Sequence, residues 1–82
     1  MKRKRHFLKI LPEYFEMVRS GRKPFEVRKN DRNFKVGDTL ILREFDGENY
    51  TGKEFEVDIL CVFDEPEYVK EGFVILGLNY FF

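Results

Sequence analysis

Hydrophobic residues in this chain gather in short runs, and the spacing inside each run predicts what it forms. His6 to Ile10 is apolar-rich and stopped by Pro12, which predicts a first strand. Pro12 suits the first turn of a helix, where its missing N–H costs nothing. Glu13 and Glu16 lie near that start and Arg19 near the end, as the helix dipole favours. Phe15, Val18 and Tyr14 share one side of the turns and Gly21 supplies the stop, so the helix covers residues 12–20. From Lys23 to Lys29 the period becomes two: Phe25 and Val27 face one way, and Glu26, Arg28 and Asn30 face the other.

Val36-Gly37-Asp38 is a turn into a strand over Thr39–Phe45, and Asp46 to Gly52 reverses the chain. Glu54 to Phe63 alternates most clearly, with Phe55, Val57, Ile59, Cys61 and Phe63 on one face. That pattern makes Cys61 an inert core residue. An acidic loop or short helix around Pro66 leads to Gly72–Leu78, whose nearly continuous apolar run fits a strand buried on both faces. Tyr80, Phe81 and Phe82 are expected to dock on the body. The fold class is therefore mainly β (α+β), with about five strands and one short helix after the first. A small closed or half-closed barrel is the expected architecture, because closure removes vulnerable sheet edges.

Length and composition narrow the possibilities. The 82 residues make one domain, 1–82, with residues 1–5 read as a basic tail. A content of 43% hydrophobic residues, ten of them Phe, argues against disorder. A single cysteine and a single histidine, His6, exclude a disulfide framework and the common zinc motifs, so neither metal nor cofactor is expected. No apolar stretch approaches the ~20 residues of a membrane span, which predicts a soluble cytoplasmic domain with no membrane partner.

The net charge of zero hides an asymmetry: residues 1–43 carry +8 and residues 44–82 carry −8. The basic half suggests a polyanion, unless the two halves interleave in the fold and neutralise each other. Residues 19–35 alone hold seven bases and two acids. Within them Glu26 and Arg28 project from one strand face, with Lys23 entering from the preceding turn. An Arg fork, a Lys and one carboxylate suit an anionic ligand that also offers donor groups, such as single-stranded nucleic acid. The bland alternative is an exposed strand face whose ion pairs contribute little.

The spacing Gly21-x-Lys23-x-x-Glu26-x-Arg28 resembles the GxKxxExR signature of ASCH domains in the PUA-like superfamily. At this chain's residue frequencies such a match arises by chance on the order of a few times per thousand sequences. The stretch from Leu8 to Phe45, and Tyr50-Thr51-Gly52 after it, resembles a small bacterial and phage branch of that group. The resemblance implies a β-barrel whose cleft is lined by Lys23, Glu26 and Arg28, with Gly21 closing the helix-to-strand turn. It also implies an RNA or modified-nucleotide binding role. Asn30, Asp31 and Arg32 belong to the branch's own motif, and Asn30 and Arg32 join the candidate binding residues. His6 is a further candidate, as a reader of a base, against the ordinary reading of a hydrogen-bonded strand-start histidine.

Two alternatives stand beside binding. Some small proteins of that group are amidohydrolases acting on acylated cytidines, with the signature Lys, a Thr and a later Glu. This chain keeps Lys23 but has Glu26 where the Thr would be, so Lys23 and Glu26 are its catalytic candidates if it is an enzyme. The other alternative is an adaptor that docks a protein partner on its acidic half, around Asp64, Glu65 and Glu67.

Overall fold

A computed structural model describes residues 3–80. The strands are β1 (Arg5–Ile10), β2 (Phe25–Lys29), β3 (Thr39–Phe45), β4 (Tyr50–Phe63) and β5 (Phe73–Asn79), and helix α1 (Pro12–Arg19) follows β1. They form one mixed sheet in the order β1-β3-β4-β5-β2. β1 runs parallel to β3, and every other pairing is antiparallel. Among the described residues no ladder joins the two edge strands, β1 and β2, so the sheet is not closed by backbone pairing.

The inner face is mainly apolar in β1, β3, β4 and β5. Leu8 and Ile10 of β1, Leu40 and Leu42 of β3, Val57 and Ile59 of β4, and Val74, Leu76 and Leu78 of β5 make one core. Helix α1 covers it with Phe15 and Val18, and Phe34, from the loop that connects β2 to β3, joins the same core. Pro12 opens the helix with no side-chain cap, and Glu13 and Arg19 complement its dipole. Its end depends on Gly21, which adopts φ 81° while its N–H donates to the Val18 carbonyl and that of Lys23 donates to Met17. This left-handed turn satisfies the last helical carbonyls and aims the chain into β2.

Three sequence readings change. β4 carries an extra residue, Leu60, between the pairs Ile59–Leu78 and Cys61–Gly77. Beyond that bulge the faces exchange, so Val62 packs inward while Cys61 and Phe63 are exposed. β5 is not buried on both faces: Val74, Leu76 and Leu78 are buried, and the residues between them are intermediate. The basic tail is shorter than expected. Arg5 begins β1, and Arg3 is held by Asp58 at 2.6 Å and by the Gly37 carbonyl. Met1, Lys2, Phe81 and Phe82 lie outside the described residues, whereas Tyr80 does dock on the body, donating its hydroxyl hydrogen to the Val18 carbonyl.

The charged halves interleave on the outer face. Asp58, Glu56 and Glu54 of β4 meet Arg3, Arg5 and Arg43 at 2.6, 3.8 and 3.2 Å. These pairs are largely exposed and add little stability, but they cancel part of the basic half's field. No helix among the described residues is long and apolar enough to cross a membrane.

Gly21 provides a test of the turn into β2. A Cβ there would meet nothing within 4 Å, so Gly21→Ala carries only the backbone penalty of positive φ. That penalty is about 1 kcal/mol, or roughly 4–8 °C in Tm for a domain this size, and thermal denaturation should show it.

Candidate functional site

The strand alternation of β2 puts Glu26 inside the sheet, opposite Leu76, and leaves Phe25 and Val27 on the outer side, about half exposed. A carboxylate on an apolar face is costly unless it is paired. Glu26 is 4% exposed, and both of its oxygens are paired. Lys23 Nζ donates to Oε1 at 3.2 Å and Arg28 Nε donates to Oε2 at 2.7 Å. The two cations are themselves about a fifth exposed, so one carboxylate anchors two positive groups that still reach solvent.

Arg28 has a second role. Its Nη2 donates to the Lys9 carbonyl at 2.6 Å, and Arg32 Nη1 donates to the Phe7 carbonyl at 3.0 Å. Both carbonyls belong to β1, so two arginine side chains span the seam where β1 and β2 face each other without a ladder. Beside that seam lies a cleft of 440 Å³. Lys23, Glu26 and Arg28 line it together with Lys9, Lys29 and Tyr14. Its walls also include Ile10, Leu11 and Phe73, so a charged floor is framed by apolar surface. Lys9 and Lys29 carry no ion pair among the described residues, which leaves the cleft net positive.

Tyr80 borders this arrangement from β5's side. Burial, followed by the negative charge of Glu26, pushes its hydroxyl above the ordinary tyrosine range and keeps it a neutral donor. Lys23 Nζ stands 4.8 Å from the Phe25 ring centroid and 5.7 Å from that of Tyr14, so aromatic faces also hold this cation.

The structure gathers Lys23, Glu26 and Arg28 as expected and separates the other candidates from them. Arg32 lies at the seam but outside the cleft, and Asn30 sits beyond β2, its N–H donating to the Gly72 carbonyl. His6 is buried elsewhere: Nε2 lies 2.9 Å from Asp38 Oδ2 and the ring is 4.8 Å from Phe34. That contact ties β1 to the turn before β3, and His6 does not line the cleft. Lys9, Lys29 and Tyr14 are the cleft residues that sequence reasoning missed. Lys9 alternates with buried Leu8 and Ile10, a signal that it faces outward but not what it faces. Among the described residues no three His, Cys, Asp or Glu side chains come together as a metal cage.

Two predictions follow from these carboxylates. Replacing Glu26 by Gln keeps the shape but leaves Lys23 and Arg28 without their anion, at a cost of about 1–3 kcal/mol in chemical denaturation. For Asp38, burial opposes ionisation, yet hydrogen bonds from His6 and from the Lys4 and Lys35 N–H groups outweigh it and hold the carboxyl below its usual range. A carboxyl with a depressed folded pKa contributes fully above its unfolded value of about 4 and loses that contribution as pH falls through the folded one. Asp38→Asn should therefore be less stable at neutral pH and lose less stability between about pH 4 and pH 2, as followed by circular dichroism.

Comparison with known proteins places these residues in a family context. A protein of Escherichia phage P2, described as "Uncharacterized 12.9 kDa protein in GpA 3'region", is 41% identical over 76 residues. The alignment spans 93% of this chain and 69% of the phage protein. Residues 5–78, which run from the first residue of β1 almost to the end of β5, match the family described as "Domain of unknown function (DUF3850)", and the chain belongs to that family.

Proposed function

We propose that this protein binds single-stranded RNA or a modified nucleotide in the cleft beside the β1–β2 seam, with Lys23 and Arg28 as its principal anion contacts. The observation that carries the reading is the buried Glu26, whose two oxygens are occupied by two cations that remain accessible from the cleft. Such a carboxylate presets its partners, so little side-chain entropy is lost when a phosphate or a polar base edge arrives. Arg28 offers a fork and Lys23 a point charge, while Tyr14 and Phe73 supply ring surface for a base. The GxKxxExR spacing shared with ASCH domains supports the same reading, in which the curled sheet is a PUA-like barrel whose last seam is bridged by side chains.

The geometry supports binding over hydrolysis of acylated nucleosides. Both Glu26 oxygens already accept hydrogen bonds, from Lys23 Nζ and Arg28 Nε, so neither is directed at a water in the cleft.

Fluorescence anisotropy of labelled RNA oligomers tests the proposal. Affinity should fall with salt, with a log–log slope of roughly −0.7 per neutralised phosphate. Arg28→Ala and Lys23→Ala should each weaken binding roughly tenfold or more. Each leaves the buried Glu26 with one cation, so affinity is measured below the Tm of each variant, with circular dichroism certifying the fold. Unchanged affinity in both variants would overturn it.

A further inference from the structure

The cleft does not end at the seam. A second depression of 300 Å³ lies on the other side of the arginine bridge, on the outer face of β1 and β3, and Lys9 and Arg28 line both. The outer depression adds Arg32 and Arg43 to these two cations, and Phe7 and Tyr50 to the ring surface. Phe7 is 50% exposed and Tyr50 44% exposed. Arg43 Cζ lies over the Tyr50 ring at 4.3 Å from its centroid, so ring and guanidinium hold each other in place. Three carboxylates pair with these cations: buried Glu26 with Arg28 at 2.7 Å, and the exposed Glu54 and Asp31 at 3.2 Å from Arg43 and 4.0 Å from Arg32.

We infer that a single RNA strand bound in the cleft continues over the seam onto this outer face, where Phe7 and the Arg43–Tyr50 pair are stacking platforms for the next two nucleotides. The inference rests on the cleft reading above and extends it from a one-nucleotide pocket to a short track. The path is continuous in charge, because Lys9 and Arg28 stand at the crossing point and can follow the phosphate between the first and second bases. The platforms fit a chain that alternates flat apolar bases with anions: exposed rings and a ring-backed guanidinium accept bases of any sequence, and the cations between them accept phosphates. A purely structural explanation of Phe7 is also available, since it pairs in register with Ile41, which is 2% exposed on that outer face. On that explanation Phe7→Ala lowers stability and leaves length-dependent binding intact.

The experiment is an NMR titration of the full chain with the four ribonucleoside monophosphates and with mixed-sequence RNA oligomers of two to four residues. The wild type, Phe7→Ala and Tyr50→Ala are compared, with Tm measured for each. Monophosphates should shift resonances of the cleft only. Oligomers should also shift Phe7, Arg43 and Tyr50, and affinity should rise roughly tenfold per added nucleotide up to three. Each variant should lose roughly tenfold of that gain while its affinity for monophosphates stays at the wild-type value, which also certifies its fold. Equal affinity for one and three nucleotides, or a gain that survives both substitutions, would overturn the track and leave the cleft standing. Failure of the wild type to bind any of these ligands would overturn the cleft and the track together.

Discussion

Much of this structure depends on one carboxylate being inside the sheet. Glu26 occupies a position opposite Leu76 that would ordinarily belong to an apolar side chain, and an ionised group there is tolerable only with its charge answered on the spot. Lys23 and Arg28 answer it, one from the turn before β2 and one from two residues along the strand. Because both are tied to a buried anion, neither can swing freely, and Arg28 is left with a nitrogen aimed at the Lys9 carbonyl. The same charge pairing therefore preorganises a cation pair and links the two strands at the ends of the sheet.

That linkage explains how a five-stranded sheet this small manages its edges. An uncovered edge strand presents backbone groups to other chains and invites aggregation. Here the β1 edge is occupied by Arg28 and Arg32, which satisfy the Lys9 and Phe7 carbonyls. Side chains can bridge the seam without filling it, so a cleft persists where a continuous ladder would have left none. The charge asymmetry between the two halves of the chain is resolved along the same lines. On the outer face the acidic row of β4 pairs with Arg3, Arg5 and Arg43 and offsets part of their field, whereas Lys9 and Lys29 beside the cleft have no ion pair among the described residues.

Local pattern was enough for most of the elements. Pro12 and Gly21 bracket the helix, and the bounds of β3 coincide with the run from Thr39 to Phe45. The signature spacing brought Lys23, Glu26 and Arg28 forward as a group, because residues two apart on a strand must share a face. Strand alternation misplaced Cys61, since one extra residue at Leu60 exchanges the two faces of β4 and nothing in the pattern announces a bulge. The reading of His6 as a hydrogen-bonded strand-start residue holds, through Asp38, a partner 32 positions away that no local pattern reveals.

The amino-acid sequence by itself determined the mainly β class, the single early helix and the set of charged residues at the turn into β2. These depend on side-chain periodicity and on the fixed φ of proline or the free φ of glycine, which act over a few residues. Only the tertiary structure decided that β1 and β2 are the two edges, that Glu26 faces inward, and that Lys9 and Tyr14 complete the cleft. Those outcomes follow from which strands pair across long separations and from how far the sheet curls. Both are set by the burial of the whole apolar face at once, which no short window of sequence contains.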